Sequence, residues 1–177
     1  MSLPVEEHHI ITIAYDLLDA DKGGELLERM DANYPFYFLY GTGKLLPAFE
    51  DHLCGLTAGD TFDFTLSPKQ AYGPVEQGNI IDVTKEAFKI AGSIPANMII
   101  EGNYVQLTDD LGDTHSGKIL SFTDTHVKVD FNHSMAGKNL RFKGVVLNVR
   151  KATIDELVRK HYIQEDGIHR PDFGEFL

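Results

Sequence analysis

Residues 55–73 read GLTAGDTFDFTLSPKQAYG. The stretch turns at Ala58, Gly59 and Asp60, then alternates through Phe62, Phe64 and Leu66 before Pro68 stops it. Alternation with a period of two puts those three apolar side chains on one face of a strand. A run of breakers, SPKQAYGPVEQGN, follows and ends the element. Just upstream, LLPAFEDHLCG changes character. Pro47 suits a first helical position and Gly55 suits a helix end, so one short helix is expected at roughly 46–54.

The same alternation recurs on both sides. HIITIAYDLL (9–18) sets Ile11, Ile13, Tyr15 and Leu17 on one face. DADKGGE is a turn, residues 25–30 read as a return strand, and YPFYFLYG is aromatic and β-prone up to its closing GTG. After residue 79 the pattern starts afresh. IIDVTKEAF (80–88) reads as a strand entering a short helix, and residues 103–131 read as a small β-meander turning at DDLGD and TDTH. LRFKGVVLNVRKA (140–152) is the longest apolar strand. Its parity shifts around Gly144, which predicts a bulge or bend there. Thr153 followed by Glu156 is a capping box that starts a second helix. The last residues, QEDGIHRPDFGEFL, carry no periodicity and are expected to be an exposed or loosely docked tail. The fold class expected is mainly antiparallel β (α+β) around one short helix. The block from about 78 to 130 has enough apolar residues of its own to form a small separate lobe joined by two strand-like crossings.

Composition narrows the function. The chain has 177 residues, 42% hydrophobic and 24% charged, with a net charge of -11. That length supports one good core, or one domain with a small satellite. With no Lys/Arg cluster, an acidic chain of this kind is repelled by phosphate backbones, so no nucleic acid is expected as a partner. The single cysteine, Cys54, allows no intramolecular disulfide and reads as a small buried hydrophobe. The acidic MSLPVEEHH and the interruption of IITIAYDLL by Asp16 fit neither a signal peptide nor a membrane span. A cytoplasmic, reducing setting is the expectation.

Reactive-looking residues lead nowhere. In DFNHSMAGKNL (130–140), His133 and Ser134 lack a G-x-S-x-G frame, and neighbours in sequence cannot easily reach each other in line. GTGK (41–44) lacks the spacing of a phosphate loop. DDLGDTHSGK places Leu111 at a calcium-ligand position and reads as a hairpin turn. The eight histidines show no ligand spacing, so no metal and no cofactor is expected. What remains is an excess of apolar side chains near turns: Tyr15, Phe36, Phe38, Leu45, Leu46, Phe49, Tyr72 and Phe142. Each alone suits an ordinary core. Together they suggest an apolar cup with two hydroxyls at its rim, a ligand pocket.

Two stretches, GLTAGDTFDFTLSPKQAYG (55–73) and DFNHSMAGKNLRFKGVVLNVRKAT (130–153), resemble the motifs of FKBP-type peptidyl-prolyl isomerases. Their separation by about 56 residues resembles the SlyD-like branch, in which an extra domain interrupts the flap. PFYFLYGTGKLLPAFEDHLCGL (35–56) is similar to that branch's strand, turn and helix. The resemblance implies an antiparallel half-barrel around a short helix. It divides the chain into FKBP segments 1–78 and 130–153, an insert 79–129, and a C-terminal helix and tail 154–177. It implies a prolyl isomerase and folding chaperone, a monomer without cofactor, acting on proline-containing peptides and unfolded chains. The alternative is a peptide-holding module with little turnover. The site residues carried over are Tyr15, Phe36, Leu45, Leu46, Phe49, Tyr72 and Phe142. The family's pocket aspartate falls near Glu28, where the alignment slips by a residue. In the insert, Phe88, Ile94, Met98 and Ile99 are the expected contacts for unfolded chains. The tail departs from the branch: it offers only His161 and His169 and no cysteine, so a nickel role is not carried over. Its IHRPDFGEFL, with Phe173 and Phe176, is a candidate tethered ligand for a peptide-binding lobe.

Overall fold

A computed structural model describes residues 2–163; the tail, with the ligand role considered for it, lies outside the described residues. In chain order the elements are β1 (His9–Asp19), β2 (Glu25–Met30), β3 (Phe36–Leu39), α1 (Pro47–Leu53), β4 (Thr61–Leu66), β5 (Ile80–Thr84), β6 (Tyr104–Thr108), β7 (Thr114–Phe122), β8 (His126–Asp130), β9 (Leu140–Lys151) and α2 (Ile154–Arg159). They divide into two compact units. One is built from the chain up to Pro74 and from Gly137 onward; the other is Val75–Ala136.

The first unit is an antiparallel sheet in the order β2-β1-β9-β4, with β3 also paired to β1. β1 is long enough to hold two neighbours on one edge: Ile10–Ile13 pair with β3, and Tyr15–Asp19 pair with β2. The register puts Leu17, Phe142 and Phe64 in one cross-strand row and Tyr15, Gly144 and Phe62 in the next. Directly opposed side chains on one face are the unit of sheet stability, and here that face is aromatic. α1 covers it with Phe49 and Leu53, both fully buried. Pro47 opens this helix without forfeiting a hydrogen bond, and Gly55, at φ 81°, follows its end. The helix reads as the sequence predicts. Cys54 does not: it is exposed, because Phe49 and Leu53 already occupy the buried stripe and Cys54 falls outside it.

The opposite face of the sheet is charged. Asp16 faces both Arg29 and Lys143, and Lys143 faces Asp63. Arg29 binds Asp16 through both carboxylate oxygens at 2.6 and 2.8 Å, and Arg141 binds Asp63 twice at 2.7 Å. This apolar-in, charged-out alternation is the physical content of the period-two pattern.

The parity shift in β9 has a different cause from the one expected. Thr12 faces Asn148 while Ile13 faces Val146, so Leu147 is the extra, bulged residue. Gly144, three residues earlier, is in register. It is a close-approach position: a Cβ there would sit 2.2 Å from the Ala14 carbonyl oxygen and 2.7 Å from the Phe62 ring.

α2 starts at the expected capping box, with Thr153 Oγ accepting from the Glu156 N–H at 3.3 Å and the Glu156 carboxylate accepting from the Thr153 N–H at 2.9 Å. The fully buried Glu156 also receives two bonds from Arg150, at 2.7 and 2.8 Å, and the Ile163 N–H at 3.0 Å. Burial acts to raise its carboxyl pKa. The Arg150 and backbone donors outweigh burial and bring it down to about 2.

The second unit is a four-stranded antiparallel sheet in the order β5-β8-β7-β6. Its core is Phe88, Val105, Ile119, Val127 and Val129. The β6–β7 turn is held by Asp109, whose carboxylate accepts the N–H groups of Leu111 and Asp113, both at 2.9 Å. That is a hairpin turn, as its sequence reads. In DFNHSMAGKNL the imidazole of His133 accepts the Met135 N–H at 3.1 Å, a turn-forming role. Among the described residues, no helix is long and apolar enough to cross a membrane.

Gly144→Ala is expected to destabilise the first unit by roughly 1–3 kcal/mol or more, since the backbone of β1 must move to admit the methyl. Urea unfolding followed by far-UV circular dichroism measures this. Because the Glu156 carboxyl is depressed on folding, its contribution to stability is complete above its ordinary value near 4.5 and is lost as pH falls toward about 2. The protection factors of the Thr153 and Ile163 amides, taken relative to intrinsic exchange at each pH, are expected to fall across that window, and Glu156→Gln should remove that fall.

Candidate functional site

Four elements of the first unit bring aromatic rings together on the covered face. Tyr15 of β1 is the hub. Its ring centroid lies 6.2 Å from Phe36 of β3, 6.5 Å from Phe49 of α1 and 6.0 Å from Phe142 of β9. Phe49 meets Phe142 edge-on at 4.9 Å. Edge-to-face contact suits the ring quadrupoles, so the cluster holds a definite shape.

Glu28 belongs to this cluster. The register sets it opposite Leu17 rather than Tyr15. The carboxylate therefore reaches one row along the strand, and the Tyr15 hydroxyl donates to it. Burial first, and then the Glu28 hydrogen bond, push the Tyr15 phenol pKa far above its ordinary value.

Tyr72 follows a tight 3-10 turn at Pro68–Gln70, closed by a Ser67/Gln70 capping box and by the Gly73 N–H donating to the Pro68 carbonyl at 2.7 Å. It is half-buried. Burial, then the negative charge of Glu28, raise its phenol to about 12, so it remains a hydrogen-bond donor throughout the neutral range. Leu45 and Leu46 lie half-buried just before α1, and the Leu46 carbonyl accepts the Phe49 N–H at 2.9 Å. Thus Tyr15, Phe36, Phe49, Phe142 and Glu28 are joined by direct contacts. Tyr72 is coupled to them through the Glu28 charge, and Leu45 and Leu46 frame the start of the helix.

Further rings join the cluster. Phe64 stacks against Phe142 at 5.6 Å and meets Phe49 at 5.8 Å, and His52 of α1 lies flat on Phe64 at 4.2 Å. Phe38 stacks on Phe36 at 5.5 Å. The alternation through Phe62, Phe64 and Leu66 is the signal that carries Phe64. An open depression lined by Ala20, Gly23, Gly24, Asp63, Phe64, Thr65 and Arg141 shares only Phe64 with the cluster, and its ion pair and glycines make it a different kind of surface. Among the described residues, no three His, Cys, Asp or Glu side chains converge to hold a metal ion.

In the second unit the expected contact residues separate. Phe88 is 1% exposed and forms the core, so it does not line a surface. A lobe this small has few large apolar side chains to spare from its own interior. Ile94, Met98 and Ile99 are partly buried against that core. The exposed apolar side chains are others, among them Ile81, Ile90, Ile100, Leu111 and Phe122.

Comparison with known proteins agrees with this architecture. The family model of FKBP-type peptidyl-prolyl cis-trans isomerases matches residues 3–95. The FKBP-type peptidyl-prolyl cis-trans isomerase SlyD of Aeromonas hydrophila is 33% identical over 153 residues, covering 86% of this chain and 68% of that protein. The SlyD proteins of Yersinia pestis and Escherichia coli K12 are 30% and 29% identical over 163 residues, each covering 90% of this chain and 77% of the relative. The interrupted sheet, the short covering helix and these matches together make the chain a SlyD-like member of the FKBP-type peptidyl-prolyl cis-trans isomerase family.

Proposed function

We propose that this isomerase works without covalent chemistry in the apolar cup around Tyr15, and that its second unit holds unfolded or partly folded chains. The observation that carries the first half is the convergence of Phe36, Phe49 and Phe142 on Tyr15 beside the protonated Tyr72. Rotation about an X–Pro bond faces a barrier of about 18–20 kcal/mol, set by amide resonance. Resonance moves charge from nitrogen to the carbonyl oxygen. A dry aromatic slot solvates that charge-separated planar amide less well than water does, which favours the twisted form. Each 1.4 kcal/mol of such preference gives about tenfold in rate. Phe36, Phe49 and Phe142, with Leu45 and Leu46, shape the proline slot. Tyr72 donates to a substrate carbonyl. The Tyr15 hydroxyl is engaged by Glu28, so Tyr15 serves as a wall rather than a donor.

The second half rests on exposed Ile81, Ile90, Ile100 and Phe122, with Ile94, Met98 and Ile99 partly buried on the core. Apolar side chains left exposed on a small lobe suit contact with extended clients, and Met98 lends that contact adaptability. A monomer in a cytoplasmic setting completes the reading.

One observation favours a second reading, a module that holds peptides with little turnover. Tyr15, Phe36, Phe49 and Phe142 are all no more than 6% exposed, so a proline ring enters only if a side chain shifts. A proline-tetrapeptide isomerisation assay decides: absence of any acceleration selects the holding module.

For the enzyme, Tyr72→Phe is expected to lower kcat/KM about three- to tenfold, the worth of one hydrogen bond. Phe142→Ala is expected to lower it about tenfold or more, and neither change should abolish it. Because the Tyr72 phenol is raised, kcat/KM should show no loss from its ionisation up to about pH 10. The Gly137 N–H donates to the Gly73 carbonyl at 2.8 Å, so the two ends of the first unit already meet. Replacing residues 75–136 by a short turn should therefore spare peptide turnover and impair refolding of a protein substrate. Loss of both with the sheet intact overturns the division of labour.

A further inference from the structure

β3 is the lightly held wall of the aromatic cup. It has four residues and pairs with β1 alone among the described residues, at Ile10–Ile13. Its inner face carries Phe36 and Phe38, which meet Tyr15 at 6.2 Å and Phe49 at 6.3 Å. Tyr37 lies between them and so projects from the other face. There its ring is stacked on Tyr162, with centroids 4.6 Å apart and planes 5° from parallel.

Tyr162 is fixed from behind. The Arg150 guanidinium lies 5.7 Å from its ring centroid. Arg150 is tied by two hydrogen bonds to buried Glu156, which also binds the N–H of Ile163, the residue after Tyr162. The register places Arg150 opposite Ile10, and Tyr37 opposite Thr12, on the two sides of β1. Residues 153–163 thus form a strap anchored on β9 that crosses β1 and bears on β3. The strap is not held by a greasy helix face. Ile154 and Val158, which such a face would bury, are 80% and 76% exposed. Its docking rests on the buried carboxylate and the ring stack.

We propose that Tyr162, through its stack on Tyr37, is a positioning residue for the isomerase site: the strap sets where β3 places Phe36 and Phe38 against the rest of the cup. The inference rests on the reading of Phe36 as a wall of the proline slot. Loosening the strap lets β3 move, which weakens contact with the substrate in its ground and twisted states alike. Its signature is a rise in KM with kcat little changed. A merely structural role would reduce the fraction of folded enzyme, lowering apparent kcat and leaving KM alone.

The test is tetrapeptide isomerisation by the full-length chain and its variants, each assayed well below its own melting midpoint. Tyr162→Ala is expected to raise KM about three- to tenfold, the range of an aromatic pair, and Tyr162→Phe, which keeps the stack, is expected to restore it. Tyr37→Thr keeps a strand-forming residue in β3 and approaches the same contact from the other side, so it serves if Tyr162→Ala does not fold. Phe36→Ala is the companion measurement. If Phe36→Ala impairs turnover while Tyr162→Ala and Tyr37→Thr leave KM unchanged, the strap inference is overturned and the site reading stands. If Phe36→Ala itself changes nothing, the site reading has failed.

Discussion

The pairing of β9 between β1 and β4 is the constraint on which the first unit depends. β9 runs along the whole of β1, from His9 opposite Lys151 to Asp19 opposite Leu140, and along β4 on its other side. It brings Phe142 to the aromatic cluster and Gly144 to the close approach with Ala14. Yet it arrives only after the chain has passed through residues 75–136. A contact this distant in sequence is entropically costly to close and slow to form. The second unit, with its own sheet and core, shortens that search once it folds, because its two ends then belong to an ordered body rather than a free loop. The Gly73–Gly137 hydrogen bond marks where the first unit closes over the excursion.

Much of this architecture is legible in the sequence, because period-two alternation and helix punctuation are local signals. β1, β4, the Pro47–Leu53 helix and the Thr153 capping box stand where the residues place them. The departures come from packing, which the local pattern does not carry. The parity change in β9 reads as a feature of Gly144, the conspicuous residue, while the bulge is at Leu147 and is defined only by the partner strand. Cys54 sits among apolar neighbours in sequence, but two other helical residues fill the buried stripe. Phe88 looks like a contact residue until the strands that enclose it are placed. The Tyr37–Tyr162 stack joins two residues with no shared pattern.

At the site, the Tyr15–Glu28 pair illustrates how polar groups live inside an aromatic wall. A buried phenol needs an acceptor, and a carboxylate near that wall needs donors. Each satisfies the other, which fixes the hub ring without adding a reactive group. Glu28 stands one row along from Tyr15, opposite Leu17, and the two long side chains meet between the rows. Tyr72 feels the same carboxylate, which adds to burial in raising its phenol.

The charged outer face of the sheet has a consequence for what the protein can tolerate nearby. Among the described residues β2, β4 and the short β3 each pair with one strand, so each presents an edge. Open edges invite other chains to add as strands, the route by which sheets aggregate. An isomerase whose substrates are extended proline-containing segments meets such chains constantly. Arg29 on β2, and Asp63 on β4 with its partner Arg141, set charge along two of these borders. A strand added at either would have to match that pattern of charges. The ion pairs contribute little to stability. Their larger effect is to interrupt the apolar surface of those two edge strands.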